Sequence, residues 1–393
     1  MFKDKDLAYV ILTPYTIEKS RTGAVLSRLL GNLKHSELVA ARIFAPTQEL
    51  TEQYAEKIRV GGKSDKKYLD LLQNYVLKNF GPKADDAKRR VLMLIFAGHN
   101  TRQELSDIVG QLNIKCYTGE KIRDAFGDLI WNEDGSLHYF EPAVLISNPR
   151  GGIADNLKLW LDFAKESSSV LDNTCSYQNS SEVEQTLVLI KPDNWQSKSL
   201  KPGAIVDMFS RTGLRIISCN ICKMSIGQAL EFYGPVKEIL CKKLAPVIGK
   251  KAVAILEKEF NVTLEKDAAI GLSNIAGRPY ALAQYASIIE FMTGKKPHFG
   301  MSDNQMNTPG SSTIMALVYE GENAVSKIRT ILGPTDPTKA PSGTVRKEFG
   351  SNVMVNTAHA SDSSKNAQRE MKIMKMHEGT FVQVVENILE HAE

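Results

Sequence analysis

A chain of 393 residues, 42% hydrophobic and 24% charged, is longer than one core usually supports and ordinary for a folded protein, so two domains are expected. Its 49 basic and 45 acidic side chains leave a net charge of only +4, with no block of five like charges, which excludes the electrostatic footprint of a nucleic-acid binder. No run of about 18 apolar residues is present and residues 1–6 are charged where a signal peptide needs an apolar core, so no membrane partner and a cytoplasmic location are expected. The five cysteines, Cys116, Cys175, Cys219, Cys222 and Cys241, are odd in number and scattered. The single C-x-x-C sits in the strand-like run SCNICKMS without a second ligand pair at zinc spacing, which reads as structural thiols.

From Leu7 the chain runs LAYVILTPYTIEKSRTGAVLSRLL, an apolar strand, a proline turn and an amphipathic helix. The same device returns from Gln185 as QTLVLIKPDNWQSKSLKPGAIVDMF, with Pro192 matching Pro14. VLMLIFAGHNTRQELSDIVG, ending at Gly110, matches IMALVYEGENAVSKIRTILG, ending at Gly333, and GEKIRDAFG at Arg123 falls on SGTVRKEFG at Arg346. This is a divergent tandem repeat. KESSSVLDNTCSYQNSSEVE, rich in Ser, Asn and Glu, reads as the connection, which predicts domains at 1–170 and 185–393 with a linker at 171–184. Each half interleaves strands and helices in an α+β pattern, with helices expected on one face of a sheet. The second half also carries an insert near 237–282, helical around KKAVAILEKEF, and a polar loop near 295–312.

No G-x-x-x-x-G-K-[ST] phosphate loop exists, so any nucleotide must be held by side chains. The second half offers a suitable set: Lys191 after a strand, Tyr233 and Arg329 on helices, Thr335 in the turn GPTDP, Arg346 in a Gly-led loop, and Asn356 three residues before His359. Read alone, NTAHASDS is a strand end running into a helix capped by Ser361, Asp362 or Ser363.

Taken together, LVLIKPD, LGPTDP, PSGTVRKEFG and N-x-x-H-A-S-D-S resemble, in order, the motifs of nucleoside diphosphate kinases, with Ala360 where that family has glycine. The resemblance implies two ferredoxin-like domains with four-stranded antiparallel sheets covered by helices. It implies ping-pong transfer of a terminal phosphate from a nucleoside triphosphate to a nucleoside diphosphate. His359 would be the nucleophile and Glu370 would accept a hydrogen bond from its other ring nitrogen, fixing the tautomer. Lys191 and Tyr233 would support the terminal phosphate, Arg329, Thr335 and Arg346 the inner phosphates, and Asn356 with Lys191 the sugar. Mg²⁺ would bridge the phosphates and need few protein ligands. The R-P-Y at residues 278–280 is similar to the family's R-P-F, yet the register points to Gln284 or Tyr285, and Val353 is the better-aligned base contact.

By repeat offset, Lys191 falls on Thr13, Arg329 on Ser106, Thr335 on Leu112, Asn356 on Ala143 and His359 on Ile146, with only Tyr54 and Arg123 kept. The first half is therefore expected to be an inactive copy, and the two halves to pair as an internal pseudo-dimer, with a homo-oligomer allowed. Phe381, Val384, Val385, Ile388 and Leu389 form one helical stripe that must be buried, either in its own core or between halves or protomers. The competing reading is a non-catalytic nucleotide-sensing or scaffold protein built from kinase-like domains.

Overall fold

A computed structural model describes residues 5–59, 66–112, 118–147 and 153–390; Cys116 lies outside them. The continuous apolar runs become central strands. In the first half, β1 (Asp6–Leu12), β2 (Ser36–Phe44), β3 (Val91–Gly98) and β6 (Val144–Ile146) form an antiparallel sheet in the order β2-β3-β1-β6, and β4 (Asp128–Trp131) and β5 (Leu137–Glu141) form a separate hairpin. In the second half, β7 (Val183–Ile190), β8 (Arg215–Cys222), β9 (Ile314–Glu322) and β10 (Ala358–Ala360) form a sheet in the order β10-β7-β9-β8.

The two sheets agree pair for pair. Leu12 faces Leu92 as Ile190 faces Met315, and both outer strands carry an irregularity at the same repeat position, between Leu38 and Ala40 and between Ile216 and Ser218. One register departs from the sequence alignment by a residue. Ile11 pairs with Leu145 as Leu189 pairs with His359, so the counterpart of His359 is Leu145 rather than Ile146, and that of Asn356 is Pro142 rather than Ala143. Backbone hydrogen bonds mark the shift: the carbonyls of Ala143 and Thr357, both left-handed with φ of 58° and 78°, accept the amides of Thr13 and Lys191. Nothing in the two dissimilar loops could have marked it.

β1 and β3 are buried at almost every position, and β7 from Thr186 and β9 up to Tyr319 likewise, which requires cover on both faces rather than one. In the first half Tyr9, Ile11, Met93 and Ile95 face a core built with Tyr54, Tyr75 and Trp160, while the Thr101–Val109 helix covers β1 and β3 from a different set of positions. The C-terminal helix Phe381–Glu390 joins that first-half core. Phe381, Val385 and Ile388 are fully buried there, Val384 and Leu389 pack at its margin, and the Phe381 ring meets Phe44 edge-on at 5.2 Å.

Two further contacts tie the halves together. The Thr22–Asn32 helix packs on the Lys201–Ser210 helix so closely that a Cβ at Gly23 would strike the Asp207 backbone and one at Gly203 the Ser27 backbone. Strands β2 and β8 also pack against each other, and the Leu171 amide donates to the Ile217 carbonyl. The connecting segment is thus stitched to β8 rather than hanging free. The compact division of the chain falls elsewhere, separating residues 223–313 from the rest. That unit contains helices Ile226–Phe232, Gly234–Phe260, Ala268–Leu272 and Arg278–Thr293.

Cys219 and Cys222 lie three apart on β8 and so face opposite sides, and burial pushes both thiols up to about 12.

Candidate active site

His359 sits at the centre of β10, paired with Leu189, so the sheet fixes its backbone while its side chain stays partly open. Its Nε2 lies 2.9 Å from Oε2 of Glu370, which is 5% exposed on the Ser364–Ile373 helix. The same oxygen accepts the Ser361 hydroxyl at 2.7 Å, and Arg369 Nη2 approaches the other oxygen at 3.5 Å. Ser363 is the N-cap, accepting the Asn366 amide at 3.2 Å. The hydroxyls in SDSS therefore divide their work: Ser361 orients the carboxylate and Ser363 starts the helix. Ser361 was legible only as a possible cap, because a hydrogen bond nine residues along the chain has no local signature.

Lys191 directly follows β7 and is almost buried, with Nζ donating to the Met354 carbonyl and, at 2.8 Å, to Oδ1 of Asn356. Burial pulls its ammonium down to about 8, Asp193 opposing the shift and Arg346 adding to it. Asn356 is held from its amide side by the carbonyls of Val353 and Thr335. Asp193 and Asn194, not singled out from the sequence, fasten the next residue: Asp193 Oδ2 accepts the Thr357 amide at 3.1 Å and Asn194 Nδ2 donates to its carbonyl at 2.8 Å. This holds a β-branched residue in the left-handed region, a strained conformation that needs such support. Their position in the turn straight after a strand was the available clue.

Arg346 reaches from the Val345–Phe349 helix to the carbonyls of Gly333 at 2.9 Å and Ala358 at 3.1 Å, bracing the glycine-led turn against β10. Arg329 is exposed and borders, with Thr330, Asp362 and Ser363, an open cleft of about 770 Å³. Asp362 is held below the usual carboxylate range by Asn366 first, then Ser363 and Arg329. Thr335 and Val353 are both exposed, Val353 on a loop that makes it available as an apolar platform. Tyr233 belongs to the 223–313 unit, where it links two helices and its ring lies 5.0 Å from that of Phe232. Tyr285, in the same unit, spends its hydroxyl on the Leu230 carbonyl, and Gln284 lies beside it on that helix.

The corresponding place in the first half is closed and opposite in charge. Where the second half has Lys191, Thr13 donates to Oε1 of Glu141 at 3.0 Å. Tyr75 donates to the other oxygen at 2.6 Å and the Ala143 amide to Oε1 at 2.9 Å. Glu141 is 3% exposed, and burial raises its carboxyl against the lowering effect of these donors. A buried acidic side chain stands where the second half places an ammonium. The two residues kept from the second half are explained by packing. Arg123 braces Gly110 and Val144 as Arg346 braces Gly333 and Ala358, and Tyr54 lies between Phe80 and Trp160 with its hydroxyl 3.4 Å from that of Tyr9.

A histidine on a sheet, oriented by a buried carboxylate beside a lysine and two arginines, is the constellation of the second half. The family model described as nucleoside diphosphate kinase matches residues 289–378. A nucleoside diphosphate kinase of Campylobacter fetus subsp. fetus is 30% identical over 189 residues, covering 48% of this chain and 93% of that protein. One of Staphylothermus marinus is 29% identical over 191 residues, covering 49% and 92%. The solved Aquifex aeolicus nucleoside diphosphate kinase is 24% identical, covering 49% of this chain and 94% of that one at a TM-score of 0.30. The chain belongs to the nucleoside diphosphate kinase family.

Proposed function

We propose that the second half transfers the terminal phosphate of a nucleoside triphosphate to a nucleoside diphosphate through a phosphohistidine at His359. The observation that carries this is the contact between His359 Nε2 and Glu370, with Ser361 on the same oxygen. A carboxylate at Nε2 makes Nδ1 the attacking nitrogen. Nδ1 bonds to the terminal phosphorus, the bond from that phosphorus to the bridging oxygen breaks, and the nucleoside diphosphate leaves. The β-phosphate oxygen of a second nucleoside diphosphate then attacks the phosphorus, the P–N bond breaks, and the imidazole is restored.

Lys191 and Tyr233 stabilise the transferring group, Arg329, Thr335 and Arg346 hold the inner phosphates, Asn356 and Lys191 bind the sugar, and Val353 meets the base. Mg²⁺ would be carried in on the substrate's own phosphates rather than held in a dedicated protein cage. Bound there, the cation neutralises phosphate charge.

In the same reading residues 1–170 are a degenerate copy, 171–184 the connection and 185–393 the active domain, working in the cytoplasm. The halves form an internal pseudo-dimer, supported by the glycine-mediated helix contact and by the C-terminal helix in the first-half core. Incubation with γ-labelled ATP should leave an acid-labile, base-stable label that His359→Asn removes; label surviving in that variant would overturn the assignment.

A further inference from the structure

One helix crossing in the 223–313 unit is built from small residues with branched apolar ones exposed beside it. Where the Gly234–Phe260 helix crosses the segment that follows it, the contact is made by small residues. A Cβ at Gly249 would strike Ala269 and Ser273, and one at Gly277 would strike Ala245. On the segment that follows, Ile270 is left 66% and Ile275 77% exposed, while the unit's buried apolar residues, such as Phe232, Ile289 and Met292, lie on other helices. Small residues inside and branched ones outside is the arrangement favoured where lipid, not water, meets the outer face.

The free face of the Gly234–Phe260 helix has a matching pattern. At ~100° per residue, Ile239, Val247 and Ile255 fall on one arc, and each is at least half exposed. Lys243, Lys250, Lys251 and Lys258 lie on the same arc, all exposed. Glu257, at the edge of the arc, accepts the Leu264 amide at 3.0 Å, and Glu238 and Glu259 fall off it. The face is therefore apolar and cationic together. Pairing with a second copy would set lysines against lysines, so the charge demands an anionic occupant.

We propose that this helix face docks on an anionic lipid bilayer, with Ile239, Val247 and Ile255 entering the headgroup boundary and the lysines meeting lipid phosphates and carboxylates. The lysine stems lie along the apolar surface while their heads reach outward. No described helix is long and apolar enough to cross a membrane, so the contact lies on the surface.

The test is co-sedimentation of the full chain with vesicles of phosphatidylcholine alone and of phosphatidylcholine mixed with phosphatidylserine. Binding is expected only to the mixed vesicles and should fall as salt rises. Lys250→Glu with Lys251→Glu should weaken it at least about tenfold, and Val247→Ser with Ile255→Ser should weaken it while leaving salt sensitivity in place. Circular dichroism on both variants establishes that the helices persist. No sedimentation with mixed vesicles, or binding unaffected by charge reversal, would overturn the proposal. Retention on an immobilised polyglutamate peptide without vesicle binding would overturn it in favour of an acidic protein partner.

Discussion

The Ser361 hydroxyl and the His359 ring share one oxygen of Glu370, at 2.7 Å and 2.9 Å. Ser361 has no exposure, so its hydroxyl locks a carboxylate that in turn locks the imidazole. Ser361→Ala should lower kcat about 10- to 100-fold, as loss of an orienting partner does elsewhere, with KM for nucleotide little changed. Steady-state exchange kinetics check this; a kcat equal to that of the parent would mean the carboxylate needs no such hold.

The ammonium of Lys191 is charged only below its depressed pKa of about 8. If the charged form supports phosphate, kcat/KM should fall as pH rises through that value, and Lys191→Arg should move the limb upward. Stability should move the opposite way. The unfolded lysine titrates near 10.5, so between about 8 and 10.5 the unfolded chain binds more protons and this group's contribution to stability rises with pH. Below about 8 the penalty of burying the charge is fully present. Denaturant titrations of the parent and Lys191→Met across that window should diverge; parallel curves would mean that the lysine titrates normally.

Tyr75 donates to Glu141 in the buried first-half site. Tyr75→Phe should destabilise the chain by about 1–3 kcal/mol, the usual cost of leaving a buried acceptor short of a donor, without altering exchange activity. Urea unfolding and the exchange assay together check both parts, and a loss of activity at unchanged stability would tie the first half to catalysis.

Placing a nucleophile in the first half should not revive it. Leu145→His in a His359→Asn background puts an imidazole at the matching register, but Glu141, Pro142 and Thr13 remain around it. No acid-labile label is expected from γ-labelled ATP. Stable labelling at position 145 would show that the donors missing from this half are dispensable.

Phe381 lies in the first-half core although its helix belongs to the second half in sequence. Phe381→Ala should cost about 3–5 kcal/mol, the usual loss for a fully buried phenylalanine. Residues 185–393 expressed alone should self-associate or precipitate. Thermal unfolding and light scattering test the pair; a monomeric, fully active second half would mean that the first half is not needed to cover it.

Much of this was readable from local signals. The doubled strand-turn-helix pattern requires only periodicity and a proline, whereas the roles of the candidate phosphate ligands, His359 and Glu370 came through the resemblance carried by motifs such as LVLIKPD and N-x-x-H-A-S-D-S. The connection at 171–184 was legible as polar, yet its Leu171 amide found a partner on β8, a contact distant in sequence. The same limit hid Ser361 on Glu370, Glu141 under Tyr75, and helices on both faces of the sheets. The one-residue shift that places Leu145 opposite Ile11 was invisible because composition carries no register, whereas a ladder of backbone hydrogen bonds permits only one. Sequence by itself determined the doubled order of elements and the different side chains that the two halves carry at the candidate phosphate positions. Only tertiary structure decided that the C-terminal stripe is buried in the other half's core, because an amphipathic helix specifies that it must be covered and not what covers it.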